Sequence, residues 1–285
     1  MKKIFLTGSN GMLSTDFIKH FGNKFEILSF DKKNLDITNI QSIDKLIKKN
    51  KSDIIINFAA YTNVEDAEDV GLKDNFDVNS LGVYNLSKIS AKYNIDLITI
   101  STDYVFDGTK KEGYKENDIP NPINNYGMAK YLGERLANQE NHKSIIIRTS
   151  WLYGGGKEFR NFVNIMLKLS KTKEELNVVN DQYGSPTYTI DLCNAIAKVI
   201  MNTKKYRGKI LHFCNQTKNS GISRFEFAKE IFKITGTKIE LVQCSSKKFI
   251  TKAKRPKGTK LLNGSNIKLR NRKDALKDYL KRLGQ

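Results

Sequence analysis

The sequence predicts an α/β fold, a doubly wound parallel sheet with a smaller C-terminal substrate-binding lobe. Short β-branched apolar runs alternate with amphipathic stretches of helical period through the first half of the chain. Those runs are apolar at consecutive positions, as strands covered on both faces are, rather than at every second position. The first run leads straight into a glycine turn that opens a helix. With 285 residues, 39% of them apolar and only 4 prolines, the chain has the material for one large domain or two modest ones with a real core.

Taken in order, "KIFLTG" (3–8) is a strand entering the turn, residues 12–22 are helical, and "FEILSF" (25–30) is a second strand. Residues 39–50 place Ile40, Ile43, Leu46 and Ile47 on one helical face. "DIIINFAA" (53–60) is a continuous apolar strand, residues 79–94 a helix, and "IDLITIST" (95–102) the next strand. A helix carrying "NNYGMAKYLGE" (124–134) follows a loop, then "SIIIRTS" (144–150) is a strand, and "GKILHFCN" (208–215) is expected to return to the same sheet. The expected division is 1–150 with 187–214 for a Rossmann-like dinucleotide-binding core, and 151–186 with 215–285 for the lobe.

Composition excludes several classes. No stretch reaches the ~18 apolar residues of a membrane span, and the apolar run after Lys2 and Lys3 is too short for a signal peptide, so a cytoplasmic protein without membrane partners is expected. Cys193, Cys214 and Cys244 are scattered, without metal-ligand spacing or a disulfide pattern. The formal charge of +19 is concentrated late, with 14 Lys/Arg against 2 Asp/Glu from Lys247 to Gln285. That segment has neither base-stacking aromatics among its basic residues nor a finger or helix-turn-helix spacing, so no nucleic-acid partner is expected. An anionic small ligand near the C-terminal region, or plain solubility, is the better match.

Three places carry chemistry. "TGSNGMLS" spaces Gly8, Gly11 and Ser14 as Gly-x-x-Gly-x-x-Ser, a turn that brings backbone N–H groups to a pyrophosphate at a helix N-terminus. Asp31 ends the second strand, where an acidic residue binds the ribose hydroxyls of NADH; Lys32 and Lys33 follow and suit the 2′-phosphate of NADPH, so either coenzyme is admitted. The fourth strand ends in "STDYVFDG" (101–108), placing Ser101, Thr102 and Asp103 at the crevice over the strand ends. Tyr126 and Lys130, four apart, share a helical face. A phenol can protonate the oxyanion formed when a ketone accepts hydride, a neighbouring ammonium is expected to lower its pKa, and Thr102 can hold the carbonyl oxygen.

Together with "NFAAYTNVEDAED" (57–69), "RTSWLYG" (148–154), "VNDQYGSPTY" (179–188) and "KRPKGTKL" (254–261), these motifs resemble the extended short-chain dehydrogenase/reductases nearly end to end. Within them the likeness is to the sugar-nucleotide branch that reduces dTDP-4-keto-6-deoxy sugars. The resemblance implies Thr102, Tyr126 and Lys130 as the catalytic set, and Gly8, Asn10, Gly11, Met12 and Leu13 along the pyrophosphate. It further implies Asp36 near the adenine, Ala59, Ala60 and Tyr61 beside the ribose and phosphates, and Ser101, Tyr126 and Lys130 at the coenzyme. Asp103, Tyr104, Trp151, Asn161 and Phe162 are implied at the nucleotide sugar, with Arg255 at its diphosphate.

Two departures from the pattern stand out. Ser14 replaces the third glycine. Some relatives bind Mg²⁺ through glutamates at a dimer contact; here Asp16 could replace one, but Ile190 stands where another would be, so no metal site is expected. A homodimer is compatible with the resemblance. A reductase of a UDP- or GDP-linked sugar, or a non-catalytic regulatory subunit on the same fold, stays open as an alternative.

Overall fold

The computed structural model describes residues 1–217 and 221–285. The strands are β1 (Lys3–Thr7), β2 (Glu26–Phe30), β3 (Ile54–Asn57), β4 (Asp96–Thr102), β5 (Ile145–Thr149), β6 (Leu152–Tyr153), β7 (Glu175–Val179), β8 (Tyr183–Gly184), β9 (Thr187–Tyr188), β10 (Ile210–His212), β11 (Ile222–Ser223) and β12 (Glu240–Cys244). The helices are α1 (Met12–Phe21), α2 (Ile40–Asn50), α3 (Leu72–Phe76), α4 (Gly82–Lys92), α5 (Asn125–Glu140), α6 (Phe162–Leu169), α7 (Thr189–Met201), α8 (Thr203–Tyr206), α9 (Arg224–Thr235) and α10 (Arg272–Arg282).

Six strands form one sheet in the order β10-β5-β4-β3-β1-β2, with every pairing parallel. The late run 208–215 does return to it, as β10 beside β5. The register aligns the carboxyl ends: Thr7 lies opposite Phe30 and Asn57, and Thr102 opposite Thr149. A parallel sheet turns that edge toward one crevice.

Each face of the sheet has its own apolar layer, which explains the continuous apolar runs. Ile4, Leu6, Ile54, Ile56, Ile145 and Ile147 pack against Leu13 and Phe17 of α1 and Leu192 and Ile196 of α7. Phe5, Ile55 and Leu97 point the other way, onto Ile43 and Ile47 of α2 and Leu86 and Ile89 of α4. A separate core gathers Tyr153, Tyr188 and Tyr279 with residues of α6, α9 and α10, beside a small parallel pairing of β7 with β12.

Two elements differ from the sequence expectation. The strand expected over 53–60 stops at Asn57. The Asn57 side chain accepts from Thr7 Oγ1 at 2.7 Å and from Ala59 N at 3.2 Å, so the backbone leaves the ladder beside the glycine turn. The helix expected over 79–94 is the end of a longer helical run from Leu72, interrupted at Asp77–Leu81 by a wider π-type turn. Such single-turn widenings re-aim side chains locally. Here Asn79 accepts from Tyr61 N at 3.2 Å and donates to Tyr61 O at 2.9 Å, clamping the segment after β3.

The basic C-terminal segment spends much of its charge internally. Lys252 pairs with Asp69, Arg255 with Glu65, Arg270 with Asp191 and Asp278, Arg272 with Glu230, and Arg282 with Asp16. All three cysteines are free thiols, and Cys193 and Cys214 are buried. Among the described residues no helix is long and apolar enough to cross a membrane.

Candidate active site

A cavity of about 590 Å³ opens along the carboxyl edge of the sheet. Gly11, Met12, Leu13 and Ser14 from the start of α1, Ala59 and Ala60 after β3, and Ser101, Thr102, Asp103 and Tyr104 at the end of β4 line it. Tyr126 and Lys130 of α5 and Thr149, Trp151, Arg160, Arg224 and Arg255 complete the wall.

The glycine turn suits a diphosphate. Gly8 has φ +73°, and a Cβ there would lie 2.5 Å from Ala59 N, so both the backbone conformation and the packing require glycine. Gly11 caps α1 without a side-chain hydrogen bond, which leaves the first helical amides for a ligand. Ser14 in the third position is accommodated: it is wholly buried, and its hydroxyl donates to Gly8 O at 2.6 Å, bracing the turn. The Thr149 hydroxyl on the cavity wall is buried without a hydrogen-bond partner among the described residues.

Helix α5 positions the reactive pair. Asn124 caps it, its side chain accepting from Gly127 N at 2.7 Å, and Asn125 N donates to Glu68 at 2.8 Å. Tyr126 therefore enters the cavity on the first turn and Lys130 one turn later, beside Thr102, whose hydroxyl accepts from Tyr104 N at 3.2 Å. The electrostatics depart from expectation. Removal from water pushes the Tyr126 phenol well above its ordinary value, with Asp103 adding to the rise and Thr102 opposing it. Lys130 donates to Ile100 O at 2.6 Å, and burial brings its ammonium down to about 8 despite the nearby Glu134. Desolvation dominates the phenol, and the expected lowering by Lys130 is not set up here. Burial also raises the Asp103 carboxyl to about 6, against hydrogen bonds from Thr259 and Thr102.

Behind the pair lies a buried polar group. Arg148 binds Glu134 through two hydrogen bonds, and Ser101 donates to the same carboxylate at 2.5 Å.

Not every residue singled out from sequence reaches the cavity wall. Gly8 sits behind it. Asn10 donates to Asp31 at 2.9 Å, Asp31 is tied to Asn34, and the exposed Asp36 accepts from Thr38; none of the three lines the cavity. Tyr61 turns its ring toward Gly71. Asn161 caps α6 and donates to Tyr279, and Phe162 stacks on Phe227, so both serve the lobe core. Asp16 is buried, paired with Arg282 at 2.8 Å and bonded by Gly155 N at 2.8 Å and by Thr189. Sequence reasoning missed Thr149, Arg160 and Arg224, which no local pattern marks.

A glycine turn at a helix start and a Thr/Tyr/Lys set, facing one cavity over a parallel sheet, define an oxidoreductase of the nicotinamide-coenzyme class. The RmlD substrate binding domain family matches residues 1–284. The chain is 35% identical to the spore coat polysaccharide biosynthesis protein SpsK of Bacillus subtilis over 98% of its own length and 97% of that protein's. It is 38% identical to the dTDP-4-dehydrorhamnose reductase of Aggregatibacter actinomycetemcomitans, covering 81% and 79% of the two chains. The crystal structure of dTDP-4-dehydrorhamnose reductase from Bacillus anthracis, in complex with NADP, superposes with a TM-score of 0.91 at 36% identity over 99% of each chain.

The chain belongs to the dTDP-4-dehydrorhamnose reductase family. It is an NAD(P)H-dependent oxidoreductase that reduces the 4-keto group of a nucleotide sugar.

Proposed function

We propose that the protein reduces the C4 ketone of a dTDP-4-keto-6-deoxy sugar, converting dTDP-4-dehydrorhamnose to dTDP-L-rhamnose, with Tyr126 as proton donor. The observation that supports this most is the convergence of Thr102, Tyr126 and Lys130 on one cavity wall beside the glycine turn. Gly11, Met12 and Leu13 would hold the coenzyme diphosphate through backbone amides, and Ala59 and Ala60 would flank it. When bound, the reduced nicotinamide supplies the hydride. Lys32 and Lys33, both exposed beside Asp31, suit a 2′-phosphate, and the Bacillus anthracis relative carries NADP. NADPH is accordingly the preferred coenzyme, with NADH admitted.

The residues of the chain divide the remaining work. A phenol held above its ordinary value keeps its proton at neutral pH, which is the state a donor needs. Thr102 orients the carbonyl oxygen toward Tyr126, and Lys130 supplies positive charge as the alkoxide develops. Asp103, Tyr104 and Trp151 form the sugar-side wall.

The test is coenzyme oxidation followed by nicotinamide absorbance, with dTDP-, UDP- and GDP-linked 4-keto sugars compared by kcat/KM. Fastest turnover of the dTDP sugar upholds the proposal. Preference for a UDP or GDP sugar retains the chemistry and replaces the substrate. No turnover in protein that binds coenzyme points to a regulatory subunit.

A further inference from the structure

The cavity wall beside Tyr104 carries two guanidinium groups in different electrostatic situations. Arg255 is already neutralised: it donates to Glu65 at 2.5 Å and to the Tyr104 hydroxyl at 3.2 Å. Arg224 has no carboxylate ion-pair partner among the described residues. Its nearest acidic influence, Asp103, is engaged with Thr102 and Thr259, and the charge of Arg255 acts on it as a repulsion.

The orientation of Arg224 is nonetheless fixed. It stands on the first turn of α9, whose start is set by a reciprocal pair of hydrogen bonds between Ser223 and Glu226. Its guanidinium lies over Trp151, 3.5 Å from the ring centroid, with Phe162 at 5.2 Å. Trp151 is itself held in a left-handed conformation with φ +46°. Gly184 backs the indole so closely that a Cβ there would lie 2.5 Å from its Cε2. Stacking sets the plane of the guanidinium and leaves its charge uncompensated.

We propose that Arg224, plated on Trp151, is the principal receptor for the diphosphate of the nucleotide sugar, and that Arg255 is chiefly a tie to Glu65. This rests on the reading of the cavity as a nucleotide-sugar site. Arg224 and Arg255 both hydrogen-bond the Tyr104 hydroxyl, and only Arg255 is neutralised, which makes a receptor that is completed by an anion. A rigid planar fork matches a diphosphate bidentately. The coenzyme's own diphosphate has its place at the uncapped start of α1, among different residues. Arg160 also lines the cavity and adds to its positive field.

The experiment is calorimetric titration of the coenzyme-loaded protein with dTDP, UDP, GDP and the matching nucleosides, in wild type, Arg224→Met, Arg224→Lys and Arg255→Met. Methionine keeps an apolar stem over the indole, and unchanged coenzyme affinity certifies each variant's fold. Losing a charged hydrogen-bonding group predicts that Arg224→Met weakens the preferred diphosphate roughly 10- to 100-fold. Nucleoside binding stays unchanged, Arg224→Lys recovers part of the loss, and Arg255→Met costs less than Arg224→Met. Unchanged diphosphate affinity in Arg224→Met overturns the proposal. A wild type that prefers UDP or GDP overturns the dTDP assignment while Arg224 is judged on that nucleotide. A wild type that binds no nucleoside diphosphate overturns both.

Discussion

Glu134 and Arg148 form a two-pronged ion pair, Nε–Oε1 2.9 Å and Nη2–Oε2 2.6 Å, with side chains 3% and 1% exposed. Glu134 lies one helical turn beyond Lys130, so the pair underpins the reactive end of α5. Removing one partner strands a buried charge, which costs roughly 3–5 kcal/mol. Arg148→Met is therefore expected to lower the urea midpoint severely. The double variant Glu134→Gln/Arg148→Met recovers much of the loss, and equal loss in single and double variants would show that the pair is not the unit.

Tyr126→Phe removes the proposed proton donor and little else, because the ring contact with Tyr104 (centroids 6.0 Å apart) survives. Turnover should fall by roughly 10²- to 10⁴-fold with coenzyme affinity unchanged. Single-turnover rates and a coenzyme titration on the same preparation check both halves. Near wild-type turnover would take the proton-donor role away from Tyr126.

His212 fixes an acid limb of stability. Its Nδ1 faces Tyr114 O and Leu262 O, 3.2 and 3.1 Å away, and so carries the proton; Nε2 then accepts from Arg148. Burial, with Arg148 adding, lowers its pKa from 6.5 to about 3. Between these values the unfolded chain binds a proton that the native state refuses. Stability therefore falls as pH drops from about 6.5 toward 3. His212→Gln should flatten that part of a plot of urea midpoint against pH, and an unaltered slope would count against it.

Ser14→Gly would restore the commoner glycine pattern, yet here it should destabilise. It loses the hydrogen bond to Gly8 O and adds backbone freedom to a helical position, each worth about 1 kcal/mol. A lower melting temperature in the coenzyme-free protein is the expected readout, and a rise would mean the hydroxyl is strained.

The sheet was legible because its strands are buried on both faces, and that requirement writes itself into consecutive residues such as Ile54, Ile55 and Ile56. The glycine turn and the Tyr126–Lys130 pair were legible for a similar reason: each is a local spacing on one element. Thr149 and Arg224 were not, because they reach the cavity through strand register and through the placement of α9, which no local pattern encodes. That the Ser14 hydroxyl finds an acceptor in Gly8 O is not legible from spacing alone. The high pKa of Tyr126 was missed because four-residue spacing reports proximity to Lys130 and says nothing of how much water remains. The resemblance places Asn161 at the sugar, while its side chain caps the start of α6.

Asp16, wholly buried on α1, finds its cation in Arg282, 266 residues further along the chain. A nascent chain that has built β1, α1 and β2 still lacks the cation for that carboxylate until α10 has been made. Cuts that remove α10 should therefore be felt at the opposite end of the sequence, in the helix that begins the coenzyme cradle.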